Sequence, residues 1–444
     1  MFRTLLVTAA LCAVSLPAEA ADTVYRNATL IDGTGAAPQA GMDILVRGER
    51  IERVWKDADL KFKLAPDTAV VDASRLYVLP GLINTHEHLA TPPMRRYAEA
   101  QMKRDLYGGI TAVRDMADDL RAVAELTRAS LRAEIPAPDI YYAALMAGPS
   151  FFKDPRTVAV SYGYTPGQTP WMQAIDARTD LRTAVTLARG TSATAIKIYA
   201  NLPADLVAKI SAEAHRQHLL VWAHAAVYPA TPSEVIAAKP DAISHACSLG
   251  HQVAGTPMTY QSRTPMDAAP FLAGDNPVIA GLVKRMAAQG TILDATVSIY
   301  EQATARAAAD PKVKPPLCSG AMAAALTGQA FRAGVTISAG TDWVAPYTDA
   351  WPTLHHEIAA LVRAGLPPSE AIKAATLNGA RAAGQADQMG SIQAGKLANL
   401  IVLAKDPTAD VANLATLELT VKRGREYPRA DFKSLAKADL DDVD

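Results

Sequence analysis

Three cysteines in 444 residues are too few for a disulfide-built scaffold. An excess of one charge is missing too. Against 44 Lys and Arg stand 45 Asp and Glu, a formal net charge of −1, so the chain lacks the electrostatic footprint that binding nucleic acid requires. Past the first twenty residues no apolar run approaches the roughly 18 residues of a membrane-spanning helix. There is no low-complexity segment and no internal repeat beyond short apolar runs alternating with amphipathic stretches, so the disordered and solenoid classes fall away. What is present is ordinary globular composition, 50% hydrophobic and 20% charged. The length suits a (β/α)8 barrel of about 250 residues with one small domain beside it.

Residues 1–20 read as a signal peptide. Arg3 supplies the positive end, residues 5–16 form a short apolar core, and Ala18-Glu19-Ala20 is a small-x-small cleavage motif. Leu11, before Cys12, is too large for lipoprotein cleavage. The expected location is therefore periplasmic or extracellular, with no membrane span. Removing the leader leaves Cys247 and Cys318, expected as two buried thiols, with one bridge as the alternative. The acidic residues near the end, within 431–444, read as a solvated tail.

Segments at 23–31, 42–47, 50–55, 69–72 and 77–79 are short, strand-like and separated by turns. Similar stretches return at 399–404 and 418–422. Residues 21–80 and 385–430 are thus expected to pair into one small β-sandwich flanking residues 81–384. That middle region carries eight strand candidates, at 82–84, 111–114, 140–145, 195–199, 219–223, 242–244, 291–295 and 335–339. Each is followed by a helix or by a loop and then a helix, as at 203–217 and 349–364, which predicts a closed (β/α)8 TIM barrel. The long connections at 146–179, 246–276 and 297–316 are where function is expected.

His86-Glu87-His88 follows the first of these strands. Histidines at i and i+2 on an extended segment point the same way and can meet one metal. Lys197 sits between Ile196 and Ile198, where an unpaired ammonium is costly to bury. It either snorkels outward or is modified by CO2 to an anionic carbamate able to bridge two cations. His224 ends the fifth strand, His245 the sixth, and Asp342 follows the eighth. Singly these are core histidines and a helix cap. Together they occupy the ends of strands one, four, five, six and eight, which converge in a barrel.

With Val78-Leu79-Pro80-Gly81-Leu82-Ile83-Asn84-Thr85 leading into His86, the helix at 371–383 and Gly395-Lys396-Leu397-Ala398-Asn399-Leu400, the chain resembles the amidohydrolase superfamily in its binuclear, carboxylated-lysine form. The similarity is greatest to the branch of imidazolonepropionase, Xaa-Pro and Xaa-Arg/Lys dipeptidases and ochratoxinase. The resemblance implies two divalent metal ions. His86, His88 and Asp342 would hold one, His224 and His245 the other, with carboxylated Lys197 and a hydroxide between them. Imidazole and carboxylate ligands suit zinc, with manganese or cobalt as alternatives. Asp342 is the implied catalytic proton carrier and Tyr228 an implied substrate contact, with a packing tyrosine as the alternative; His251, in the loop after strand six, is a further candidate contact by position. Two positions depart from the family pattern: Ser244 stands where Glu is common, and Glu87 varies. The implied activity is hydrolysis of the C–N amide bond of small peptides or N-acyl amino acids. Lactone, ester, carbamate or cyclic-amide hydrolysis on the same site is the alternative. A homo-oligomer is implied, with an octamer as the size to look for. Of the remaining candidates, Arg114-Asp115 reads as a structural ion pair. His215 and His218 read as surface groups, and His355 and His356 as capping or surface groups. Phe151, Phe152, Tyr162, Tyr164 and Trp171 read as a pocket wall or an oligomer contact.

Overall fold

A computed structural model describes residues 22–56, 63–253, 259–260, 264–346 and 348–434. The expected leader and the tail beyond 434 lie outside them. Eight short strands run parallel, each paired to the next: Leu82–Glu87, Ile110–Asp115, Asp139–Ala147, Ala195–Ile198, Leu220–His224, Ala242–Ser244, Ile292–Asp294 and Ile337–Ser338. Each falls on one of the expected segments. Helices cover the outside, so both faces of every strand are buried and the strands read as continuous apolar runs rather than alternating ones. The intervening helices start where the side chain of Asp119, Asp180 or Asn276 accepts free backbone N–H groups of the first turn.

Strands one and eight share no ladder among the described residues. Individual bonds close the barrel instead. Thr85 N–H donates to Ala339 O and Asp342 N–H to His86 O, both at 3.0 Å. Asn84 Nδ2 donates to Thr341 Oγ1 at 2.9 Å, and Thr341 N–H returns a bond to Asn84 Oδ1 at 3.1 Å. The seam therefore lies within three residues of His86 and Asp342.

The two chain ends form one eight-stranded sheet. Thr23–Leu30, Gln39–Arg47, Arg50–Lys56, Ala69–Asp72 and Tyr77–Pro80 come from the first end, and Leu400–Leu403, Leu417–Lys422 and Arg425–Pro428 from the second. They meet where Leu400–Leu403 runs antiparallel to Tyr77–Pro80. Tyr25, Ile44, Val78, Leu400 and Val421 share its separate apolar core. Lys422 and Arg423 both pair with buried Asp139 at 3.0 Å and fasten this sheet to the start of barrel strand three.

Four expectations are corrected. The helix expected over 349–364 spans Leu354–Arg363, because Pro352 disfavours helical backbone at Trp351. The single helix at 371–383 is two, Pro368–Ala374 and Leu377–Ala382, with Thr376 out of helical conformation between them. Cys247 and Cys318 are not thiols. They form a disulfide with Cα atoms 6.0 Å apart, since the turn Ala246–Gln252 folds back onto the helix Gly320–Arg332. Arg114 pairs not with Asp115 but with Asp294 at 3.2 Å, because adjacent strand residues face opposite ways.

Candidate metal centre

His86 and His88 leave strand one on the same side, as their spacing requires. The Nε2 atoms of both lie 3.5 Å from Asp342 Oδ1, and His245 Nε2 lies 3.8 Å from Asp342 Oδ2. The donor atoms of His86, His245 and Asp342 fall within 4.8 Å of one another. The His224 ring centre is 4.7 Å from that of His245. All four histidines and Asp342 line one cavity of about 270 Å³. Lys197 is fully buried beside them, and its Nζ has no hydrogen-bond partner among the described residues. The six residues predicted as ligands are thus brought together from five strands.

The ring nitrogens that face away from the cavity are tied down. Asp294 Oδ2 accepts from His86 Nδ1 at 2.8 Å, Asp118 Oδ1 lies 3.0 Å from His88 Nδ1, and Thr296 Oγ1 meets His245 Nδ1 at 2.9 Å. Such partners fix tautomer and ring angle and aim Nε2 inward. Asp118 is fixed in turn by Thr91 Oγ1 and by Ala90 N–H at 2.6 Å. Asp294 also accepts from Thr85, Arg114 and Ser244, so Ser244 serves the ligand set through Asp294. Sequence reading missed Asp294, Asp118 and Thr296, although an Asp closing the apolar strand at 292–294 was a visible signal. Asp118→Asn is expected to weaken metal retention by about 10–100-fold while leaving the fold intact. Metal titration of the stripped protein tests this, and unchanged affinity would remove Asp118 from the site.

Backbone strain gathers here. His245, Thr296 and Asp342 have φ of 73°, 50° and 55°, a region non-glycine residues enter at a cost of about 1–3 kcal/mol each. Gly340 shows why the eighth strand turns as it does: a Cβ there would strike the Asp294 carboxylate and come within 2.7 Å of His86 Cβ.

Burial lowers the proton affinity of His86 and His224, and pushes His245 down to about 3, so all three present neutral imidazoles. At His88 burial acts the same way, but Asp118 and Asp342 outweigh it and raise the ring well above its ordinary value. Burial would raise the Asp342 carboxyl, yet His86, His88 and His245 hold it well below the usual carboxylate range. Burial brings the Lys197 amine down to about 7, against the pull of Asp294 and Asp342.

Phe151, Leu145, Val160 and Met172 form the apolar side of the cavity, and Arg156 and Thr157 add polar groups. Tyr199 packs on His224 at 4.1 Å and its hydroxyl meets that of Tyr260 at 3.1 Å. Of the aromatics expected on this loop, only Phe151 lines the cavity. Tyr162 and Tyr164 are exposed, and Trp171 bonds Val160 O and stacks on Arg121. Tyr228 and His251 meet edge to face at 5.3 Å, but neither lines this cavity. His215 and His218 are exposed. His355 is half-buried and binds Gly108 O through Nε2 at 2.9 Å, so of the two histidines there only His356 is a surface group.

The amidohydrolase family model matches residues 77–426, and the chain belongs to that family. The imidazolonepropionase of Symbiobacterium thermophilum is 24% identical over 90% of this chain and 91% of its own. The chain spans only 15% and 16% of the length of the two curated relatives that come first, both deaminases, from Rubrobacter xylanophilus and Methanothrix thermoacetophila. Two solved structures share the fold: a Xaa-Pro dipeptidase (TM-score 0.70, 22% identity, 92% of this chain and 100% of that one) and the A. niger ochratoxinase (TM-score 0.70, 22% identity, 94% and 97%).

Proposed function

We propose that this chain is a metal-dependent amidohydrolase cleaving the C–N amide bond of a small peptide or an N-acyl amino acid. The observation that carries the reading is the convergence of His86, His245 and Asp342 donor atoms within 4.8 Å, with Lys197 Nζ, which has no hydrogen-bond partner among the described residues, buried beside them. Those residues fit a divalent pair. Three imidazoles are held neutral, and three carry a partner on Nδ1. An amine with neutralisation near pH 7 can take up CO2 and become an anion, which gives the orphaned nitrogen a reason to be there. His86, His88 and Asp342 would hold one ion, His224 and His245 the other, and the Lys197 carbamate would serve both. Zinc suits this set. When bound, two such cations lower the pKa of water and polarise a carbonyl.

The chain's own groups supply the rest. Asp342, ionised at neutral pH, accepts the proton of the attacking water and delivers it to the departing nitrogen. Phe151, Leu145 and Met172 pack the acyl group and exclude water from it. The names of two relatives in fold, a dipeptidase and an ochratoxinase, agree with amide substrates. The leader motif supports export to the periplasm or beyond.

Stripping the protein of metal should abolish amide hydrolysis, and Zn, Mn or Co with bicarbonate should restore it. The check is release of free amino acid from a panel of dipeptides and N-acyl amino acids, run beside matched esters. Ester turnover without amide turnover after reconstitution would overturn the reading.

A further inference from the structure

Cys247 lies two residues beyond His245. It is bonded to Cys318, the residue before the cap of the helix Gly320–Arg332. Both cysteines are buried, and neither lines the cavity over the histidines. We infer that this disulfide is a positioning element for His245. It holds the ring at the angle at which, with His224, it takes one of the two ions, and cutting it weakens that ion while sparing the other. The inference rests on the division of ligands given under the proposed function.

The local geometry calls for such a restraint. Strand six is three residues long, Ala242–Ser244, and His245 leaves it at φ 73°. A non-glycine residue stays in that region only where its surroundings hold it. The ring is tied to Thr296, itself at φ 50°. The backbone is tied by His245 N–H to Asp294 O at 2.9 Å and by Ala246 N–H to Ala295 O at 3.1 Å. Past these bonds the chain turns through Ala246–Gln252 and begins the long connection to the helix Pro277–Gln289. The bridge pins that connection at its second residue, before slack in it can reach His245.

The other end of the bridge is firm. Gly320 N–H donates to Thr304 Oγ1 at 3.0 Å, which fixes the start of its helix to the helix Val297–Ala309. Met322 N–H donates to the capping Ser319 Oγ at 3.2 Å. The turn packs directly on this helix, so closely that a Cβ on Gly250 would strike Met322 Cε. The effect stays with His245 because the other first-strand ligands are held independently. Asp294, the partner of His86, is gripped by Arg114, Thr85 and Ser244, and Asp118, the partner of His88, by Thr91 and Ala90.

The test is titration of the stripped protein with cobalt, followed by visible absorption, in wild type, in Cys247→Ala/Cys318→Ala and in Cys318→Ser, which leaves the Cys247 side of the turn unchanged. Wild type should take up two equivalents. Both variants should keep one tight equivalent and bind the other about 10–100-fold more weakly, the scale of losing a group that orients a ligand. A bridge that only stabilised the fold would act on both ions alike. Equal weakening of both, or two unchanged affinities, overturns the inference. Amide hydrogen exchange of the metal-free wild type, before and after reduction by a phosphine, asks the same question without substitution. Residues 245–252 should exchange about tenfold faster once the bridge is reduced, and an unchanged rate there also overturns it. If wild type takes up no divalent ion, the functional reading fails on its own, while exchange at 245–252 still decides whether the bridge holds His245.

Discussion

Replacing Lys197 by Met is expected to destroy activity and stabilise the metal-free protein at once. Turnover should fall by at least about 10²–10³-fold, the scale of removing one preorganised charge-stabilising group. Stability of the stripped protein should rise by about 1–3 kcal/mol, because an apolar chain of similar volume replaces a buried amine that lacks a partner. The gain should depend on pH in a fixed sense. Burial lowers this amine from 10.5 to about 7. Between those values the unfolded chain holds a proton that the folded chain has released, so wild-type stability climbs with pH across the window. The advantage of Lys197→Met is therefore largest at pH 7 and below and shrinks toward pH 10.5. Denaturant melts of both proteins, metal-free and in CO2-free buffer, measure it. A Met variant that is less stable than wild type at pH 7, or that retains wild-type turnover, would remove Lys197 from the centre.

Asp294→Ala is expected to cost about 3–5 kcal/mol, because it strands the Arg114 guanidinium in the barrel interior with no counter-charge. Both side chains are fully buried, with Arg114 stacked 4.4 Å over Trp222. Burial pushes the Asp294 carboxyl up, but His86 and Arg114 outweigh that and keep it ionised. His86 would lose its anchor in the same variant, so metal retention should fall as well. Adding Arg114→Met to Asp294→Ala should recover part of the lost stability without restoring metal binding. Equilibrium unfolding in urea reads the first effect and metal titration the second. A change in stability within about 0.5 kcal/mol, as for an ordinary surface site, would show that the pair does not hold the interior together.

The barrel and the candidate ligands at its mouth were legible because each signal was local. A parallel strand covered on both faces is a short apolar run, and a polar residue at its C-terminal end stands out against it. His86, His88, Lys197, His224, His245 and Asp342 were all visible on that basis. The supporting groups were harder. Thr296 and Asp118 act through partners 51 and 30 residues away, and nothing in their own neighbourhoods marks them. Arg114 looked paired to its neighbour Asp115 because adjacency in sequence suggests contact, whereas strand geometry sends the two to opposite faces. The cysteines were misjudged for a related reason: with 71 residues between them, only the fold brings them together. Tyr228 was placed by resemblance and His251 by its loop, and a loop's course is set by packing that no motif records.

The barrel seam has a consequence for synthesis. Thr85, His86 and Asn84 bond to Ala339, Thr341 and Asp342, so the last strand completes the cylinder and the ligand set in one docking event. A nascent chain halted before its eighth strand would carry five of the six candidate ligands with no wall to hold the first two in place. On the proposed function, ion capture then follows chain completion.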